Sequence, residues 1–360
     1  MPLSEKIDIW ILMLHTSYFI LHTSQLIVLS MTSTINWGII GLGKIAHKFA
    51  QDLRHVPDAR LHAVASTDAH RAVDFAKQYG AQYHFSSYEA ILNCPHLDVV
   101  YIATNHPQHC ATTLMCLRRR IPVLCEKPFG MNANEVHMMI DSAKAHNTFL
   151  MEALWTRFIP AFQRAMELIH NGAIGRPLSM KADFGFAAPF NPNNRIFNKD
   201  MGASSLLDIG IYPILLAQSI FGKPAVVQAM ATMSQTGIDE TCAMNLQYAK
   251  GEIAMCHSTV AADTNVEATI YGEKGVLYFH PRFHNTQKLT IKYFHNLGEE
   301  TYSLPFDGSG YQFEAMEVNK CLKNNQLESG IMPHKFSTDL IETLDWVRRE
   351  IGLVFPKHDG

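Results

Sequence analysis

From Ile35 to about Met151 the chain alternates short apolar runs with segments of helical periodicity, and this alternation limits its fold more than any other feature. "INWGII", "RLHAVAS", "LDVVYIAT", "IPVLCEKP" and "NTFLMEA" read as strands. Between them lie "KIAHKFAQDLRH", with Ile45, Phe49 and Leu53 spaced four apart, "AHRAVDFAKQYG", closed by Gly80, "HCATTLMCLRRR" and "ANEVHMMIDSAKAH". These four read as helices. Strand–helix alternation of this kind implies a parallel sheet covered on both faces.

The second half changes period. After a helix near Phe158 to His170, strand-like runs follow closely: "LSMKADFGF", "AVVQAMATM", "TCAMNLQYA", "EIAMCHSTVAA", "VEATIYG", "GVLYFH" and "KLTIKYF". Turn signals such as "AKGE" and "GEKG" separate several of them, which suits an open antiparallel sheet. A helix around Tyr212 interrupts the series, and helices from about Tyr311 and about Ser337 close the chain. The length of 360 residues fits two domains. The expected class is α/β. An N-terminal domain built on the parallel sheet spans 34–153, and a C-terminal domain with a large, mostly antiparallel open sheet spans 154–360.

Composition removes several other classes. A formal net charge of -3 gives no reason to expect nucleic acid as partner. The seven cysteines are scattered, odd in number and lack a CxxC, as in reduced thiols of a cytoplasmic protein. The nineteen histidines form no HExxH or comparable set, so no metal is expected. His106 and His109 are the one close pair in a suggestive place. The stretch Ile9–Leu29 has no Asp, Glu, Lys or Arg and is long enough to span a bilayer. It carries His, Thr, Ser and Gln throughout, and Glu5, Lys6 and Asp8 precede it in place of a basic leader. An upstream extension over 1–33, outside the fold, is favoured over an anchor or uncleaved signal, so no membrane association is expected.

"IIGLGKIA" follows the first strand and opens the first helix. Gly41 and Gly43 take the first two places of GxGxxG/A and Ala46 the third. Such a loop turns tightly and lets a pyrophosphate approach bare amides at a helix N-terminus. Lys44 and Ile45 open that helix, and Thr104 ends the third strand of the reading; these join the candidate cofactor contacts. The second strand ends "VASTDAHR", with Ser66 and then Thr67 at the position that chooses the dinucleotide. No acid stands at the tip, which favours NADP over NAD, and Asp68 reads as a helix N-cap.

"CEKPFG", with Glu126 and Lys127, lies at the C-terminal end of a parallel strand, the edge where open α/β sheets bind ligands. On spacing alone a pocket lysine and a solvated charge pair are equally open readings. In "LLDIGIYPIL", Asp208 and Tyr212 are four apart and share a helical face. Gly210 and Pro213 disfavour a regular helix there.

"GLGKIA", "CEKPFG" and "DIGIYP" in this order resemble the glucose–fructose oxidoreductase / inositol dehydrogenase / rhizopine-catabolism (Gfo/Idh/MocA) family, over about Ile35 to Val354. Tyrosine in the last motif, with "MEALWTRFIPAF" and "NRIFNKDMGASSLLDIGIYP", is similar to the branch of dimeric dihydrodiol dehydrogenase and NADP-dependent xylose dehydrogenase. The resemblance implies an N-terminal Rossmann dinucleotide-binding domain and a C-terminal α/β domain, hydride transfer between a sugar or vicinal diol and a nicotinamide, and a homodimer or higher homo-oligomer paired through the C-terminal sheet. It implies that Lys127 lies near the nicotinamide and the reacting oxygen, that Tyr212 is the acid/base and that Asp208 orients substrate or tyrosine. Glu126 would support the lysine, Trp155 and Arg157 shape the pocket or a subunit contact, and His109 lies near the cofactor. The chain departs from the branch at Ala203, Ser204 and Ser205, where glycine is usual, at Thr67, where arginine is frequent, and at Asn105, where proline is common.

A free tyrosine titrates at about 10, and a nearby cation favours the phenolate, so Lys127 and a positive nicotinamide are both expected to lower that value. Two other readings of the same motifs are a transhydrogenase that keeps its cofactor bound and a nucleotide-binding sensor without turnover. Retention of both Lys127 and Tyr212 speaks against the sensor.

Overall fold

Strands buried along their whole length need cover on both faces. In β4 (Val99–Ile102) every residue is fully buried, and in β1 (Ile35–Ile40) Trp37, Ile39 and Ile40 are too. The computed structural model describes residues 34–359, so the apolar stretch Ile9–Leu29 lies outside the described residues. The two strands sit at the centre of a six-stranded parallel sheet with β2 (Ala59–Ala65), β3 (Tyr83–Phe85), β5 (Val123–Glu126) and β6 (Leu150–Ala153). Its order is β3-β2-β1-β4-β5-β6, the doubly wound arrangement whose ligand crevice opens between the first and fourth strands. The helices α1 (Lys44–Asp52), α2 (Ala69–Tyr79), α3 (His109–Leu117) and α4 (Ala133–His146) supply the crossovers. Asp68 caps α2 by accepting the Arg71 N–H at 3.1 Å, and Gly80 ends it at φ 76°. Both agree with the sequence. The edge strand β3 was not expected; it is three half-exposed residues long, too short for a period to show.

The second sheet has eight strands. After α5 (Pro160–His170) come β7 (Pro177–Gly185), α6 (Ile211–Phe221), β8 (Val226–Met233), β9 (Asp239–Gln247) and β10 (Ile253–Thr259). Then follow β11 (Ala268–Gly272), β12 (Gly275–Phe279), β13 (Lys288–Tyr293) and β14 (Glu299–Ser303). The order is β14-β13-β12-β11-β7-β10-β9-β8, antiparallel except where β10 runs parallel to β7. The polar edge strand β14, "EETYS", escaped the sequence reading. One face packs on α6; the other leaves Met230 and Met255 exposed.

The last two helices, α7 (Tyr311–Lys323) and α8 (His334–Ile351), return to the nucleotide-binding half. Asn319 on α7 accepts the Trp37 indole N–H at 3.0 Å. Arg348 on α8 donates to the Met131 carbonyl at 2.8 Å, and Asp345 accepts the Ala133 N–H at 2.8 Å. Residues Ile35–Gly360 accordingly form one compact unit containing both sheets.

Candidate active site

The site gathers where the C-terminal ends of β1, β4 and β5 meet the start of α6. Gly41 stands at φ 88°, and a Cβ added there would lie 2.7 Å from the Ala103 carbonyl oxygen. Only glycine therefore lets the loop after β1 pass so close to the end of β4. Gly43 caps α1 with no side-chain bond, and nothing lies within 4 Å of where its Cβ would be. The helix N-terminus is thus open to a phosphate. Thr104, whose buried hydroxyl has no partner among the described residues, lines the same cleft. These features fit a bound dinucleotide.

Lys127 follows β5 and joins Pro128 through a cis peptide. Glu126 accepts the Lys127 backbone N–H at 3.1 Å and also the Tyr101 hydroxyl. Burial raises its proton affinity, against the pull of Lys127 and Tyr101. Glu152, on β6, accepts the Phe129 N–H at 3.1 Å and so holds the other side of the turn. Burial lifts Glu152 to about 7. The Lys127 ammonium donates to the Asp208 carbonyl at 2.6 Å and sits 5.3 Å from the centroid of the Tyr212 ring. Burial lowers its proton affinity, although Asp208 and Glu126 oppose that shift.

Asp208 and Tyr212 come from a π-helical turn, Leu206–Gly210, that runs into α6. Such turns are rare and recur at functional sites. Asp239 anchors its start, accepting the Leu206 N–H at 2.7 Å and the Ser205 hydroxyl at 2.9 Å. Gly210 lets the segment press on β10, since a Cβ there would meet the Ser258 hydroxyl at 2.9 Å. Asp208 accepts from the Arg195 guanidinium at 2.6 Å and faces His106 at 3.6 Å. Burial pushes its carboxyl up, but Arg195, His106 and Lys127 outweigh burial and hold it below the usual value. Burial lowers His106 to about 3 and His109 to about 4, so both are neutral at pH 7.

The Tyr212 hydroxyl accepts the Trp155 indole N–H at 3.1 Å. Its own hydrogen finds no protein acceptor among the described residues. Trp155 stacks on Tyr311 at 4.7 Å, and Phe184 stacks on His284 at 4.3 Å, so aromatic rings wall the tyrosine on both sides. The expected direction of its titration is corrected here. Burial, with Glu126 adding to it, raises the phenol well above its ordinary value. The ammonium over the ring does not offset desolvation. Tyr212 is a neutral phenol at pH 7.

Two adjoining clefts, of about 520 and about 480 Å³, share Lys44, Lys127, Arg195, Asp208, Tyr212 and Tyr311. The first adds Gly43, Ile45, Thr104, His109 and Glu126 from the nucleotide side. The second adds Trp155, Phe184 and His284. His109 sits between the two loops, Nδ1 2.8 Å from the Pro128 carbonyl and Nε2 3.1 Å from the Thr104 carbonyl, and as a neutral ring it donates to one of them at a time. Ser66 and Thr67 lie away from both clefts, at the tip of β2. Arg157 is not brought to either cleft: its guanidinium lies 3.7 Å from the Phe336 ring centroid and donates to Ser219 at 3.2 Å. Sequence reasoning missed Arg195, His284 and Tyr311. Arg195 stands in "NRIFNKDM", part of the stretch that carries the resemblance, but without a role implied for it; His284 has no motif beside it, and "GSGYQFE" marks only a turn into a helix before Tyr311.

Residues 35–154 match a family described as an oxidoreductase family with an NAD-binding Rossmann fold, and residues 162–278 match the GFO/IDH/MocA C-terminal domain. The chain belongs to this family. It is an oxidoreductase with an NAD(P)-binding Rossmann domain. It is 35% identical over 334 residues to trans-1,2-dihydrobenzene-1,2-diol dehydrogenase of Danio rerio, covering 89% of this chain and 98% of that one. The fold is also that of aldose-aldose oxidoreductase from Caulobacter crescentus, solved with glycerol (TM-score 0.81, 22% identity, 88% and 97% of the two chains). Levoglucosan dehydrogenase in complex with NADH is similar again (TM-score 0.81, 19% identity, 89% and 97%).

Proposed function

We propose that the chain moves hydride between a sugar or vicinal-diol carbon and a nicotinamide, with Tyr212 handling the proton and Lys127 the charge on oxygen. The observation that carries this reading is the free hydrogen of the Tyr212 hydroxyl. Trp155 occupies the phenol oxygen as a donor, leaving the O–H to face the cleft. The similarity to diol dehydrogenases supports the substrate class.

The nicotinamide, when bound, supplies or accepts the hydride. Gly41, Gly43, Lys44 and Ile45 would hold the dinucleotide at the N-terminus of α1, with Thr104 and His109 beside them. A neutral Tyr212 gives its proton to the oxygen of a carbonyl being reduced, and regains one from water. In the oxidative direction Tyr212 must first lose its proton to water, and the phenolate then takes the hydroxyl proton; burial makes that phenolate harder to form. Lys127 spends one N–H on the Asp208 carbonyl and keeps two for the reacting oxygen, where it stabilises developing negative charge. Asp208 fixes Arg195 and keeps the lysine charged.

NADP is the proposed cofactor. No acid ends β2, and Arg71, on the first turn of α2, is the first lysine or arginine past its tip, 3.7 Å from Asp68. The cysteines are all buried and unpaired, in keeping with the cytoplasm. The exposed apolar residues of the C-terminal sheet, Met230 and Met255 among them, suit a homodimer paired through that face. The test is reduced-nicotinamide absorbance with a panel of aldoses, inositols and vicinal diols, beside titrations with NADP and NAD. Turnover of a panel member and tighter binding of NADP are expected. Dinucleotide binding with no turnover of any member overturns the dehydrogenase reading, and a clear preference for NAD overturns the cofactor choice.

A further inference from the structure

The substrate-side cleft is far richer in positive than in negative charge. Lys44, Lys48, Lys127, Arg195 and Arg282 line it against one carboxylate, Asp208. That carboxylate is already engaged by Arg195 at 2.6 Å. The other terminal nitrogen of Arg195, Nη1, is buried without a partner among the described residues. Lys44 lies in the phosphate loop and suits the dinucleotide. Lys48 and Arg282 have no such assignment. Their side chains make no hydrogen bond or ion pair among the described residues.

These two cations come from two separate segments that line the same cleft. Lys48 lies one turn beyond Lys44 on α1, and Arg282 stands in the loop after β12 with φ 62°. His284, two residues on from Arg282, lines the same cleft as both. Its proton affinity is lowered to about 3, first by burial and then by Arg282, Lys127 and Lys48. Three cations from three separate segments therefore act on one ring inside a cleft, where fields are focused. Lys48 and Arg282 are exposed at this cleft, where an anionic group on a substrate can reach them. A carboxylate or phosphate monoester would be met by a lysine and a fork of guanidinium donors.

We propose that the substrate is anionic: besides its reacting C–O group it carries a carboxylate or phosphate seated between Lys48 and Arg282. This rests on the oxidoreductase reading above and narrows its substrate class. The body of the substrate lies against Trp155, Phe184 and His284, with the reacting oxygen at Tyr212 and Lys127.

D-glucose, D-glucuronate and D-glucose 6-phosphate share a ring and differ in charge. Each is tested with the full chain saturated with NADP, by steady-state turnover and by calorimetric binding, in wild type and a K48Q/R282Q variant. At least one charged sugar is expected to have a KM or Kd lower than glucose by about tenfold or more. That gap shrinks as salt rises and disappears in the variant, whose NADP affinity is unchanged. Which anion gains more distinguishes carboxylate from phosphate. Three sugars within about twofold of one another, or no binding of either charged sugar, overturn the proposal. A parallel loss of NADP affinity in the variant also overturns it, by giving the cations to the cofactor. Charged sugars that bind through Lys48 and Arg282 but never turn over keep the anion site and sink the hydride-transfer reading. Glucose turned over as well as its charged partners does the reverse.

Discussion

Glu152 makes stability depend on pH in a way that can be worked through. It lies at the end of β6, fully buried, with Oε1 on the Phe129 N–H and Oε2 unpartnered among the described residues. Burial, reinforced by Glu126, lifts its carboxyl from 4.5 to about 7, while Ser337, the Phe129 N–H and Lys127 pull the other way. The folded chain thus holds this proton more tightly than the unfolded one. Its contribution to stability is fully present below about pH 4.5, is lost as pH rises to about 7, and is level beyond. At about 1.4 kcal/mol per tenfold change in affinity, the full loss is about 3 kcal/mol. Glu152→Gln keeps the oxygen that accepts from Phe129 and removes the charge. Between pH 5 and pH 8 the variant should gain on wild type by about 2 to 3 kcal/mol, roughly 4 °C in Tm for a chain of this size. Differential scanning calorimetry of both proteins across that range reads the difference directly. Parallel pH profiles would refute the reasoning and show that Glu152 is ionised without penalty.

Two other outcomes follow from the same geometry. Lys127→Met should cut kcat/KM by about 10²–10³ while NADP affinity, from fluorescence titration, stays within about threefold; equal losses would make the lysine a cofactor ligand only. Gly41→Ala places a Cβ 2.7 Å from the Ala103 oxygen at φ 88°. Its NADP affinity should fall by about tenfold or more, a loss of about 1.4 kcal/mol, and unchanged affinity would show that the loop after β1 does not cradle the dinucleotide.

The parts of the fold visible in sequence were those set by local period. Buried strands such as "VVYI" and the cradle at Gly41 and Gly43 needed no distant information. Edge strands were lost because β3 is half-exposed and β14 is polar, so neither shows an apolar pattern. The return of α7 and α8 to the nucleotide-binding half depends on contacts such as Asn319 to Trp37, 282 positions apart. Lys127, Asp208 and Tyr212 could be picked from their motifs, and the structure brings them together. Arg157 shows the limit: two residues after Trp155, it turns to Phe336 rather than to the cleft. Burial outweighs the expected effect of Lys127 on Tyr212, because a sequence displays a nearby lysine but not how completely a phenol is buried.

The central claim is that Tyr212 carries the proton. Tyr212→Phe removes that hydroxyl and leaves the Trp155 N–H unpaired, costing about 1–3 kcal/mol of stability, so folding and NADP binding are measured alongside turnover. Turnover of the best panel substrate should drop by about 10²–10⁴ with NADP affinity retained. A variant that binds NADP and still turns over within about threefold of wild type would contradict the account, because the proton would then have another carrier.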